Sequence, residues 1–198
     1  IKVSKDWLEN GIKSLLEYDY VAGSIKIDKK RVKSLTGYYQ LKTAFPVKEY
    51  ILHGHFGPTA NLFVKRKIFE NIGGFDERLK SSGDKEFGER IFRFTNLKQI
   101  YNENVNVIHP PRDYGELLRK LDRVYKGHKD LARLYPKRFK IEEMTFTNFV
   151  KEIFTPPFNV VYDIDYSFGH LILFLFFWWI KNVNLYKKTK CGSLNFLR

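Results

Sequence analysis

Apolar positions along the first 135 residues alternate between helical and strand-like spacing. Trp7, Leu8, Ile12, Leu15 and Leu16 recur as one helical stripe, behind Ser4 as a candidate N-cap and Asp6 in the first turn. Tyr20–Ile27 (YVAGSIKI) reads as a strand in which Gly23 marks a bulge or a close approach. Residues 28–42 are basic and suggest a short helix. Residues 43–58, broken by Pro46, Gly54, Gly57 and Pro58, read as a loop with short extended pieces. Residues 60–64 are expected to form a buried strand end. Residues 67–72 are expected to form a short helix stopped by Gly73 and Gly74. Asp84 is placed to cap a helix running to about Phe94, with Phe87, Ile91 and Phe94 on one face. Residues 99–101 and 105–108 read as two short strands, ended by Pro110 and Pro111. A longer helix over 114–134 carries Leu117, Leu121, Val124, His128 and Leu131 as one stripe. Arg119, Lys120, Arg123, Lys126 and Lys129 decorate the remainder. Strands interleaved with helices make the fold class α/β.

The pattern changes after Met144. Pro156 and Pro157 separate two segments, and residues 171–180 (LILFLFFWWI) are unbroken apolar. A perpendicular span needs roughly 20 such residues, so this run is expected to lie in or partly enter a membrane rather than cross it. Trp178 and Trp179 fall where an interfacial aromatic belt would be. Lys181, Lys187, Lys188, Lys190 and Arg198 follow on a basic side. Residues 136–198 are therefore expected to form a helical, basic, membrane-associating extension at the cytoplasmic face.

Charge sharpens the choice of partner. The 198 residues carry a formal net charge of +13, with 43% hydrophobic residues, enough for a packed core. The positive surplus attracts polyanions. No helix-turn-helix, zinc or RNA-binding signature accompanies the basic helix, so nucleic acid is not expected. Anionic headgroups or a lipid-diphosphate are the more specific partners. The single Cys191 excludes an intrachain disulfide and a multi-cysteine zinc site. The chain opens at Ile1 in what reads as the middle of a domain, so a fragment of a longer protein is expected.

One stretch carries more information than composition does. Residues 56–93 run FGPTANLFVKRKIFENIGGFDERLKSSGDKEFGERIFR. A small-residue strand (Ala60-Asn61-Leu62) is followed by a GGFDE turn (Gly73 to Glu77). An acidic helix opening follows at Gly83-Asp84-Lys85-Glu86. In order and spacing these pieces resemble the second half of the catalytic domain of family 2 glycosyltransferases, which have the GT-A fold. The opening IKVSKDWLENGI and the VNVIHPPR strand resemble the flanking segments of the same family.

The resemblance covers about residues 1–126. It implies a partial GT-A domain over 1–135, the acceptor-side part. A donor-binding half with the family's Asp-x-Asp would precede Ile1. Without it the chain alone is expected to be inactive. The reaction implied is sugar transfer from a nucleotide-sugar donor to a carbohydrate or lipid-linked acceptor, in cell-envelope or exopolysaccharide synthesis, with Mg²⁺ or Mn²⁺ on the donor diphosphate.

Asp84 matches the position of the catalytic base, because a carboxylate must take the acceptor hydroxyl's proton as the new bond forms. Its alternative role is a plain N-cap. Asn61 and Glu86 match acceptor-binding positions, with a salt-bridged helix residue as the alternative for Glu86. His109 matches a position that touches metal or diphosphate, with a strand-end His bonded to backbone as the alternative. Arg90 is expected to pair with an acid on its own helix, and Asp76 and Glu77 to organise a turn. His53 and His55 are loop residues that could line an acceptor cleft. Two other functions remain open: a non-catalytic membrane-associated adaptor derived from such an enzyme, and a basic nucleic-acid-binding protein.

Overall fold

The computed structural model describes residues 1–140 and five isolated positions beyond them (147, 175, 179, 180 and 183). Apart from those isolated positions, the apolar run at 171–180 and the lysines after it lie outside the described residues, and so does the expected membrane-associating extension beyond 140. Among the described residues no helix is long and apolar enough to cross a membrane.

The described chain is α/β. In order it contains β1 (Lys2–Val3), α1 (Trp7–Glu17), β2 (Tyr20–Ile27), α2 (Leu35–Thr43) and α3 (Val47–Gly54). These are followed by β3 (Leu62–Val64), α4 (Arg66–Ile72), α5 (Gly83–Phe94), β4 (Gln99–His109) and α6 (Tyr114–Leu134). The four strands form one sheet in the order β1-β4-β2-β3. The β2/β4 pair is parallel and both edge strands pair antiparallel. Seven of the eight β2 residues are buried, as befits a central strand of near-continuous apolar character covered on both faces. Tyr20, Ala22 and Ile25 from β2, Val107 from β4, and Val47, Ile51, Ile68, Phe87 and Ile91 from α3, α4 and α5 make the core.

A polar side chain fixes the middle of the sheet. The β2/β4 register slips between Gly23 and Ser24, so that Gly23 faces Asn102 but Ser24 faces Asn106. Asn61 plugs the irregularity. Its Nδ2 donates to Ser24 O (2.9 Å) and Val105 O (2.8 Å), and its Oδ1 accepts from Trp7 Nε1 (2.8 Å). A Cβ at Gly23 would stand 2.3 Å from both Asn61 Nδ2 and Val105 O, so the close approach needs glycine there.

Several elements differ from the sequence expectation. Residues 47–54 are helical rather than loop: Pro46 precedes a full two turns, and His55 ends them in the left-handed region (φ 54°). The basic stretch resolves into a 3₁₀ turn at Lys29–Arg31 and the helix α2, capped by Ser34 Oγ on Gly37 N–H (3.2 Å). Residues 99–109 are one strand, because the irregularity is bridged by Asn61 instead of ending the strand. Helix α1 begins at Trp7 without a side-chain cap, its first residue held by the indole bond to Asn61; Ser4 Oγ is buried and unpaired. Leu8, Ile12 and Leu16 of its expected stripe are exposed, and Phe94 at the end of α5 is 65% exposed. Along α6 only Gly127 and Leu131 are fully buried. Leu117, Leu121 and Val124 are half-buried, and His128 is exposed.

Candidate functional site

A cavity of about 660 Å³ opens between the head of α5 and the inner face of α6. Its floor descends from the sheet. The buried Tyr20 hydroxyl accepts from Gly57 N–H (2.8 Å) and so fixes the loop after α3. Pro58, Thr59 and Ala60 of that loop line the cavity. Gly57 itself lies so close to β2 that a Cβ would be 2.4 Å from the Ala22 methyl carbon.

Asp84 is the second residue of α5, two positions past the N-cap place expected for it. The N-cap position belongs to Ser82, at φ 64°. Its carboxylate is half-buried in the cavity wall, accepts the Lys85 N–H (2.9 Å) and takes a further backbone hydrogen bond from Thr59. Burial raises its proton affinity above the ordinary carboxylate range. The backbone N–H groups and the charge of Arg123 oppose that shift without cancelling it. No ion pair joins Asp84 to a described residue. A helix start, backbone donors and partial desolvation give a carboxylate that is positioned but not neutralised.

Facing it is a cationic wall. Arg112 stands just before α6, and Lys120 and Arg123 lie one turn apart on it; all three line the cavity. Asp113 and Glu116 set the start of α6 through a reciprocal capping box (2.7 and 3.0 Å). Buried Gln40 clamps the Arg112 backbone from both sides, donating to its carbonyl (2.7 Å) and accepting its N–H (3.0 Å). Phe45, at φ 55°, turns its ring toward these cations: Lys120 Nζ lies 4.6 Å and the Arg112 guanidinium 6.0 Å from its centroid. Three non-glycine residues among those described have positive φ: Phe45, His55 and Ser82. Two of them line the cavity, and His55 adjoins its lining residue Phe56. Backbone strain of this kind concentrates where a side chain must be aimed. Burial and the two neighbouring arginines push the Lys120 ammonium down to about 8.

Of the residues singled out from sequence, Asp84 and His109 come together at this cavity, whereas Asn61 and Glu86 do not line it. Asn61 is buried and bonded within the sheet. Glu86 is 1% exposed and held by Arg90 and Arg138. His109 pairs Nδ1 with Pro110 O (2.7 Å), stacks obliquely on Phe45, and turns Nε2 toward Arg112 at 3.4 Å. Burial and the nearby cations lower its proton affinity. Among the described residues no three His, Cys, Asp or Glu side chains cluster as metal ligands, and the cations around His109 oppose a divalent ion there. His53 pairs with Glu49 (3.1 Å) and His55 stacks on Phe92; neither lines the cavity.

The chain is similar to the glycosyltransferase AglE of Haloferax volcanii. The two are 30% identical over 125 residues, which span 62% of this chain and 41% of the relative. The match thus covers less than half of the relative's length. No family model matches the chain, and no solved structure matches it.

Sequence reasoning missed Phe45, Arg112 and the direction of Lys120 and Arg123. The sequence assigns Lys120 and Arg123 to a basic helix face that is solvated or turned toward anionic headgroups or a lipid-diphosphate, without singling them out from Arg119, Lys126 and Lys129. The available signal was their i, i+3 spacing, repeated by Val124 at i+4 of Lys120, which puts all three on one side of the helix.

Proposed function

We propose that the chain is the acceptor-side part of a family 2 glycosyltransferase with the GT-A fold, and that Asp84 is its general base. The observation that carries this reading is the Asp84 carboxylate itself. It stands at the head of α5, in a cavity wall, tethered by backbone N–H groups, unpaired by any described cation and raised in proton affinity by burial. A base must be held within reach of the proton it removes and must gain from accepting it. The similarity to a glycosyltransferase supports the reaction class.

In the proposed step an acceptor hydroxyl attacks the anomeric carbon of a nucleotide-sugar. The new C–O bond forms as the bond to the leaving phosphate oxygen breaks. The nucleoside diphosphate departs with the electron pair, and the hydroxyl proton passes to an Asp84 oxygen. A carbohydrate or lipid-linked acceptor would lie against the aromatic side of the cavity formed by Tyr50, Phe56 and Phe75. Mg²⁺ or Mn²⁺ would enter on the donor diphosphate and neutralise charge there. The described residues do not form a site for it, and no step above runs through it. We place the reaction at the cytoplasmic face of a membrane.

The test is to assay the product of the whole reading frame that contains these residues, with labelled nucleotide-sugars and a lipid extract as acceptor. Sugar transfer that Asp84→Asn removes while the fold persists is the expected result. Transfer that survives Asp84→Asn would remove the base assignment. Membrane attachment without transfer from any nucleotide-sugar would favour an adaptor.

A further inference from the structure

We propose that Lys2, Lys26, Lys29, Lys30, Arg31 and Lys33 form a contact surface for an anionic phospholipid membrane, at the end of the sheet that adjoins the cavity. It goes beyond the placement of the reaction at a membrane, because it assigns a contact to the folded domain rather than to the extension. It depends neither on the chain beyond residue 140 nor on the chemistry at Asp84.

Sheet register gathers the first of these cations. Lys2 on β1 and Lys26 on β2 are both Cα partners of Ile108 on β4. Residues in one cross-strand row project from the same face of a sheet, so the two lysines flank Ile108 on one face. Both lysines are exposed, and Ile108 between them is 39% exposed. Lys26 is the one exposed residue of β2, while its chain neighbours Ile25 and Ile27 point the other way and are buried. The turn after β2 adds the rest. Asp28 opens the 3₁₀ turn Lys29–Arg31 by accepting Lys30 N–H (3.1 Å), and its own N–H donates to His109 O (2.9 Å), which fixes the turn to the end of β4. Lys29, Lys30, Arg31 and Lys33 are all exposed there.

Little negative charge answers them. Asp28 is the only carboxylate in residues 26–33, and it reaches only Arg31, at 3.6 Å. The lysines of the group pair with no carboxylate among the described residues, whereas Lys13 pairs with Glu9, Lys65 with Asp19 and Lys126 with Asp122. Exposed, unpaired cations clustered on an ordered strand end attract an anionic surface. Their chemistry favours headgroups over nucleic acid. Compact lysine ammonium groups outnumber the single arginine, and the exposed apolar residue among them is aliphatic Ile108, not an aromatic ring on which a base would stack. Lysine stems can lie along an apolar boundary while their heads stay in water, with Ile108 between them at headgroup depth. His109, the residue after Ile108, lines the cavity. A bilayer against this surface therefore lies beside the cavity, where a lipid-linked acceptor can enter.

The surface is tested by flotation of the full chain with vesicles of phosphatidylcholine alone and of phosphatidylcholine mixed with about one third phosphatidylglycerol. The unaltered chain should bind the anionic vesicles more tightly, and equal binding to both overturns the proposal. Lys26→Gln, Lys29→Gln and Lys30→Gln together should weaken binding to the anionic vesicles on the order of ten-fold at low salt and leave binding to the neutral ones as it was. All three positions are exposed, so the fold is not threatened. The control combines Arg66→Gln, Lys67→Gln and Lys98→Gln, exposed positions at the opposite end of the strands, where Tyr20 pairs with Gln99 and Val64. It removes the same charge and should weaken binding by about two-fold at most. An equal loss in the two triple variants would reduce the effect to net charge and sink the surface. Binding to polyuridylate in place of the vesicles, lost in the Lys26 triple variant, would give the patch to nucleic acid instead. Asp84→Asn should leave vesicle binding unchanged, so the base assignment and the lipid contact fail separately.

Discussion

Helix α5 carries charge on two sides, and the two are handled in opposite ways. Toward the end of the described chain, Glu86 and Glu89 are buried and fully paired. Glu86 binds Arg90 (3.0 Å) and Arg138 (2.7 Å). Glu89 binds Arg93 (2.5 Å) and Arg138 Nε (2.6 Å). Arg138 is further wrapped by the Phe94, Tyr135 and Phe139 rings. Arg90 also donates to Gly74 O (2.6 Å) and Ile72 O, tying down the turn that ends α4 at Gly73 (φ 79°). Toward the cavity, Asp84 faces Arg112, Lys120 and Arg123 across open space with no pair formed. Where every charge has a partner, the arrangement joins α5 to the segment after α6 and has nothing left for a ligand. Where charges are held apart, electrostatic energy is left for chemistry and binding. The acidic motif that opens α5 therefore contains one candidate catalytic residue and one structural residue, two positions apart.

The largest expected effect lies on the unpaired side. Asp84→Asn should reduce sugar transfer by about 10²–10⁴-fold, the range of general-base contributions, read by initial rates. The same change should raise thermal stability. A folded carboxylate with raised proton affinity contributes stability that is present below its unfolded pKa and lost as pH rises through the folded value. Above the folded value the ionised Asp84 is thus a cost that the amide removes. Transfer in the unaltered protein should accordingly rise with pH along a limb lying above the ordinary carboxylate range.

The paired side should respond with the opposite sign. Arg138→Met leaves Glu86 and Glu89 short of a partner in a buried place. Breaking such a network costs about 3–5 kcal/mol, measured by urea unfolding. A change below 1 kcal/mol would show that the two sides do not differ as described.

A smaller effect is expected at the joint between the sides. Gly127 of α6 lies so close to the turn before α5 that a Cβ would be 2.7 Å from Ser81 Cβ. Gly127→Ala should cost about 1–3 kcal/mol through overpacking and weaken binding of the departing nucleoside diphosphate by moving the cationic wall off Asp84. Unchanged binding in a destabilised variant would uncouple the wall from that joint.

The smallest effect is a pH dependence. Lys120 faces Arg112, His109 and Arg123, with Asp84 across the cavity and Glu116 one turn before it on α6. Its ammonium is protonated below about 8, so binding of the departing nucleoside diphosphate should be strongest there and fall several-fold as pH rises through about 8. Lys120→Met should flatten that fall, a contrast visible in titrations at pH 7 and pH 9.

Periodicity in the sequence was enough for β2, α4, α5 and α6, because each is long or sharply punctuated: Gly73 and Gly74 stop α4, and Pro110 and Pro111 break the chain shortly before α6. It was also enough to place Asp84 at a helix start and to pair Arg90 with a neighbouring acid. Local spacing reaches three or four residues, and those features lie within that reach. What lay outside it needed the tertiary structure. Asn61, read as an acceptor residue, spends its amide on strands 37 and 44 residues away. Glu86 is claimed by Arg138, 52 residues on. Arg112 and Phe45 meet only because Gln40 bonds across 72 residues. Whether a charged side chain is paired depends on what the fold brings opposite it. The sequence therefore determined which charges this protein carries and on which elements, and only the packing of α6 over the head of α5 decided which of them remain unpaired among the described residues.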